Sequence, residues 1–104
     1  MIMVKPLRNN EGRLYGFTMD GHGDTLVCAA ASALALNAVN SIEAFCDVPF
    51  ECEHRDAGGF LSFIVPSLKG NRQIHDVNLL LESFLLGVRG LAFAHPEDIG
   101  INNM

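Results

Sequence analysis

The chain has 104 residues, 49% hydrophobic and 18% charged, with seven Lys/Arg against twelve Asp/Glu for a formal charge of −5. That balance excludes a disordered chain, and the absence of any basic run argues against a protein that grips a phosphate backbone. One domain spanning residues 1–104 is expected, with more apolar surface than so small a core holds, which points to burial against a second copy. No stretch reaches the roughly 18 consecutive apolar residues of a membrane span, and the opening MIMVKPLRNNEG turns polar too early for a secretory signal. Cys28, Cys46 and Cys52 are odd in number and lack the paired spacing of a zinc site. The expectation is a reduced cytoplasmic protein without metal, cofactor, membrane or nucleic-acid partner.

Residues 2–8 and 13–20 read as two strands, because Asn9-Asn10-Glu11-Gly12 supplies the Asn and Gly of a hairpin turn. Tyr15, Phe17 and Met19 alternate with smaller or polar neighbours, the period of a strand with one buried face. Pro6 donates nothing to a ladder and places the first strand at an edge. From Thr25 to Phe45 the period changes to helical. Val27, Ala31, Leu34, Ala38, Ile42 and Phe45 form one stripe, with Asp24 or Thr25 as N-cap.

Pro49 ends that helix, and Phe50, Cys52 and His54 alternate with Glu51 and Glu53 as a strand with one wet face. Asp56-Ala57-Gly58-Gly59 makes the turn to a partner strand over residues 60–65, and Pro66, Gly70 and Asn71 mark a loop. A last helix is predicted over 74–91, with Ile74, Val77, Leu81, Phe84, Val88 and Leu91 as its stripe. Ser83, Gly87 and Gly90 form a small-residue strip that admits a neighbouring backbone, while Leu79, Leu80, Leu85 and Leu86 lie off the stripe. Together with Leu36 and Val39 of the first helix, these leucines are the expected dimer surface. The tail after His95-Pro96 reads as irregular. The order β-β-α-β-β-α implies an α+β fold: an antiparallel sheet of two hairpins with two helices on one face.

The chemistry concentrates in Asp20-Gly21-His22-Gly23-Asp24-Thr25-Leu26-Val27-Cys28, which leaves a strand, passes two glycines and enters a helix. A thiol in the first turns of a helix meets the positive end of the dipole, which favours thiolate. Backbone N–H groups there are candidate oxyanion donors. Gly21 and Gly23 permit the sharp turn that folds His22 back towards Cys28, the minimum pair for nucleophilic acyl transfer. Two other readings stand beside this one. A cysteine in an Ala-rich helix is commonly a small buried hydrophobe, and Asp20, His22 and Asp24 alternate as metal ligands would. His54 reads as a partly buried strand residue, His75 and His95 as surface groups, and Cys46 and Cys52 as structural.

Gly21-His22, Val27-Cys28-Ala29-Ala30 and Ser32 resemble the signature of the ribosomal-processing cysteine protease family, Prp. The same order continues through residues 40–45, Gly58-Gly59, Ile64-Val65-Pro66 and residues 81–87, nearly the whole chain. The resemblance implies a homodimeric bacterial α+β protease. Its substrate would be the N-terminal extension of a large-subunit ribosomal protein of the L-twenty-seven family, removed during ribosome assembly. It carries the catalytic histidine onto His22 and the nucleophile onto Cys28, gives Ser32 a supporting role, and makes Gly21, Gly23, Asp24 and Thr25 the substrate loop. Familiar members have a longer, mobile Gly-rich loop, often with an Asp three residues before the cysteine. Here five residues separate His22 from Cys28, and Thr25 holds that position with Asp24 one earlier. The short loop keeps a second reading in view: a non-catalytic module of the same fold that binds the ribosomal peptide.

Overall fold

Asn9 builds the first turn. Its side-chain oxygen accepts the Glu11 and Arg13 N–H groups at 2.9 and 3.0 Å, and Gly12 takes a left-handed backbone at φ +81°. In the computed structural model, which describes residues 1–55 and 59–102, this turn joins β1 (Ile2–Arg8) to β2 (Leu14–Asp20). There follow α1 (Thr25–Phe45), β3 (Glu51–Arg55), β4 (Phe60–Ile64), α2 (Gly70–Ala94) and β5 (Ile99–Ile101). The turn expected at residues 56–59 lies outside the described residues except for Gly59.

The five strands form one sheet in the order β3-β4-β2-β1-β5. Both hairpins are antiparallel, and they join through β2 and β4 with Phe17 opposite Phe63. The expected irregular tail is instead β5, which runs parallel to β1 with Ile2 opposite Ile99, so the sheet is mixed rather than antiparallel throughout. β1 is therefore internal over Ile2–Val4. Pro6 lies beyond that paired stretch, where this side of β1 is an edge, as its missing donor requires.

Alternation in the central strands puts Ile2, Val4, Phe17, Met19, Leu61 and Phe63 into the core under the two helices. Phe17 stacks on Phe84 of α2 at 4.3 Å between ring centroids and meets Phe63 at 6.0 Å. Asn78 of α2 accepts the Leu14 N–H at 2.8 Å, tying the helix to the start of β2.

Each helix buries a wider face than its predicted stripe, because it packs on both the sheet and the other helix. In α1 the buried set is Val27, Ala31, Ala35, Ala38, Val39 and Ile42, while Phe45 at its end is 77% exposed. Val39 belongs to the core, not to a dimer surface, and so does Leu85 of α2. Leu36, Leu79 and Leu86 do remain exposed. Of the two glycines in the small-residue strip, Gly87 meets α1, where a Cβ would lie 2.9 Å from a Leu34 methyl, whereas one at Gly90 meets nothing within 4 Å. Both helices are also long and apolar enough to satisfy a membrane-span criterion of length and composition, although each lays one face on this sheet. β3 is exposed along both faces, so Cys52 and His54 are surface residues rather than buried ones, whereas Cys46 is buried.

Candidate active site

The segment after β2 turns immediately. Gly21 has φ +100°, and its α-carbon lies so close to the Met1 carbonyl that a side chain there would overlap it. His22 follows, exposed, with its ring against Gly59, the residue before β4. A Cβ at Gly59 would stand 2.9 Å from Cε1 and 3.1 Å from Nε2, so glycine there makes room for the imidazole. Asp24 then caps α1, its carboxylate accepting the Leu26 N–H at 2.9 Å.

Cys28 sits one turn into α1, half-buried. The Gly23 N–H donates to its Sγ at 3.2 Å, and the Gly23 carbonyl lies 3.5 Å from the same sulfur. His22 and Cys28 line one cleft of about 220 Å³. Gly21 and Ser32 share it, so the histidine, the thiol and the serine one turn further along α1 converge on a single opening. Gly23, Asp24 and Thr25 are not part of its lining: Gly23 meets the Cys28 sulfur, Asp24 caps α1 and Thr25 begins it.

Much of the cleft wall is apolar: Ile2, Met19, Leu36, Phe60 and Leu61 line it beside His22, Cys28 and Ser32, and His54 adds a second imidazole from β3. Sequence reasoning set His54 aside as a strand residue. No sequence signal marks it: the alternation groups His54 with Phe50 and Cys52, and only the pairing of His54 with Leu61 brings it to the cleft.

The helix terminus offers fewer free donors than its position suggests. The Cys28 N–H is bonded to the Asp24 carbonyl at 2.8 Å, the Leu26 N–H to the Asp24 carboxylate, and the Asp24 N–H to Asp98 Oδ1 at 2.9 Å. The alternating Asp20, His22 and Asp24 do not form a ligand cluster. Among the described residues the trio with ligand atoms within 4.8 Å of one another is His95, Glu97 and Asp98. Of the other thiols, Cys46 is pushed up from the usual thiol range by burial and then by the Asp76 carboxylate. It stays neutral and apart from the cleft.

Residues 1–100 match the family model described as cysteine protease Prp. A ribosomal processing cysteine protease Prp from Staphylococcus aureus strain Mu50 is 30% identical over 108 residues, covering 98% of each chain. Among solved structures, S. aureus Prp with a covalently linked product peptide superposes with a TM-score of 0.86 at 27% identity, covering all of both chains. The same protease with a substrate peptide gives 0.85 at 25% identity, again over the full length of both. SMU.848 from Streptococcus mutans gives 0.84 at 33% identity, over all of this chain and 94% of that one. With a Gly-flanked histidine and a helix-borne thiol opening into one cleft, and with relatives matched from end to end, this chain belongs to the Prp family of cysteine proteases.

Proposed function

We propose that the chain, acting as one domain, is a cytoplasmic endopeptidase that removes the N-terminal extension of a large-subunit ribosomal protein of the L-twenty-seven family. The observation that carries this reading is the convergence of His22, Cys28 and Ser32 on one apolar-walled cleft. The relatives, named ribosomal processing proteases and solved with a substrate peptide and a covalently linked product peptide, support a ribosomal-protein peptide as the substrate. An acidic body, with Glu51 and Glu53 exposed on the strand beside the cleft, suits a basic ribosomal protein.

In this mechanism Cys28 Sγ attacks the scissile carbonyl while His22 takes the thiol proton and passes it to the leaving amine. Water then hydrolyses the thioester and regenerates the thiol. The Asp24, Leu26 and Cys28 amides are committed elsewhere, and the Gly23 N–H is bonded to the sulfur itself, so the oxyanion takes its donors from groups other than these four. Ser32 supports the peptide at the cleft edge. The exposed Leu79 and Leu86 of α2 supply the homodimer contact, whereas Leu36 faces the cleft.

The test is incubation with the N-terminal-extension peptide of the same organism's ribosomal protein, followed by mass spectrometry, with Cys28→Ser as control. A single cleavage that Cys28→Ser lacks supports the protease. Tight binding without cleavage by the wild type supports instead the non-catalytic module, which the short His22–Cys28 loop motivates.

A further inference from the structure

Asp98 stands at the junction between α2 and β5 and reaches the loop that carries the site. Three backbone contacts fix it. Its N–H donates to the His95 carbonyl at 3.0 Å, its carbonyl accepts the Ile2 N–H at 2.8 Å, and β5 begins at the next residue, paired to β1. From that fixed point the carboxylate accepts the Asp24 N–H at 2.9 Å, across 74 residues of sequence. Gly23 lies directly against it: a Cβ at Gly23 would stand 2.8 Å from the Asp98 carbonyl oxygen and 3.1 Å from Oδ1.

The bond matters because of the peptide unit it holds. The Asp24 N–H and the Gly23 carbonyl belong to one planar group and point in opposite directions. With the N–H on Asp98, the carbonyl faces Cys28 Sγ at 3.5 Å, and the preceding Gly23 N–H reaches that sulfur at 3.2 Å. Rotation of this plane would carry the Gly23 carbonyl off the sulfur and shift the Gly23 α-carbon, from which the N–H of the preceding peptide hangs. Glycine on one side and an exposed Asp24 on the other offer little steric resistance to such a rotation. The Asp98 carboxylate is the contact that opposes it.

We propose that Asp98 is a positioning residue for Cys28: its carboxylate holds the Gly23–Asp24 peptide and, by direct contact, the Gly23 α-carbon, so that the Gly23 carbonyl and the Gly23 N–H of the preceding peptide both stay at the sulfur. The proposal rests on Cys28 as the nucleophile but not on the identity of the peptide cleaved.

The experiment compares wild type, Asp98→Ala and Asp98→Asn in the full chain. Cys28 modification by iodoacetamide is followed at neutral pH by peptide-mapping mass spectrometry, which separates it from the exposed Cys52. Peptide cleavage and thermal unfolding are measured in parallel. Asp98→Ala should slow Cys28 alkylation and lower kcat by about tenfold each, with KM within about twofold. Asp98→Asn keeps an acceptor oxygen and should restore both to within about twofold of wild type. A purely structural role would lower the unfolding temperature without changing alkylation of the folded protein. Folded Asp98→Ala with wild-type alkylation and kcat would overturn the proposal, as would Asp98→Asn no better than Asp98→Ala. Should Asp98→Ala not fold, hydrogen exchange in the wild type decides: a protected Asp24 amide supports the lock, and an Asp24 amide exchanging like the exposed turn amides refutes it. Slowed alkylation in Asp98→Ala supports the lock even where the wild type cleaves no peptide, and in that case only the protease reading fails.

Discussion

Gly59→Ala tests whether His22 is placed by its contact with Gly59. Gly59 has φ +62°, where an L side chain costs roughly 1–2 kcal/mol. The new methyl would also lie 2.5 Å from the Gly21 carbonyl oxygen, against an ordinary carbon–oxygen approach of about 3.3 Å. Backbone, not a flexible side-chain end, would have to yield, which adds about 1–2 kcal/mol of overpacking. The total of about 3 kcal/mol corresponds to a fall in unfolding temperature of about 10–20 °C for a domain of this size. Because the same methyl meets the His22 ring at 2.9 Å, turnover should fall by about tenfold or more even where the protein stays folded. Gly12→Ala is the control: φ is +81° but nothing lies within 4 Å, so only the backbone cost applies and activity should be unchanged. Thermal unfolding and peptide cleavage of both variants give the comparison. A Gly59→Ala protein no less stable than Gly12→Ala, and as active as wild type, would refute the placement.

Cys28→Ser should fold as wild type yet lose peptide cleavage, since a hydroxyl is a far poorer nucleophile than a thiolate; retained turnover in the folded variant would sink Cys28 as the attacking group. Phe63→Ala, at a fully buried ring between Phe17 and Phe50, should cost about 3–5 kcal/mol in urea unfolding, and a loss under 1 kcal/mol would show the core to be misread. Burial and Asp76 raise the Cys46 thiol above its ordinary 9.0, so the folded state holds that proton more tightly than the unfolded chain. The associated stability is complete below the ordinary value and is lost as pH rises through the raised one. Cys46→Ala should therefore flatten the alkaline fall in the urea midpoint, and an identical alkaline slope in both proteins would contradict it.

The readable parts of the fold were those governed by local period. The three-four spacing of Val27, Ala31, Ala38 and Ile42 reports a single buried face and appears as expected. So do Phe17 and Met19 of β2, although Tyr15 is only half-buried and Leu14 is buried instead. Misread residues are those whose environment is set by two partners at once. Val39 and Leu85 sit off their helix's main stripe yet are buried because the helices also pack on each other, while Phe45 continues the stripe past the end of the sheet. β5 was not legible, since three residues carry no period and its pairing to β1 is parallel and distant. At the site, the Gly-flanked histidine and helix-borne cysteine could be seen because they are close in sequence. Asp98 could not, because its contact with Asp24 exists only once β5 has docked.

That non-local docking bears on how a loop of only five residues can hold His22 and Cys28 at one cleft. A long Gly-rich connection reaches its working geometry by closing, and ordering each of its residues costs conformational entropy. Here the loop is pinned along its length: Gly21 against the Met1 carbonyl, the His22 ring against Gly59, Gly23 and Asp24 against Asp98, and Gly23 against the Cys28 sulfur. All of these contacts except the sulfur come from the strands or their ends, so the sheet itself sets the loop's shape. A site fixed this way needs little reorganisation to act, but it has little freedom to wrap a peptide. Recognition must then come from what already lines the cleft: the apolar wall of Ile2, Met19, Phe60 and Leu61, and His54 on its rim.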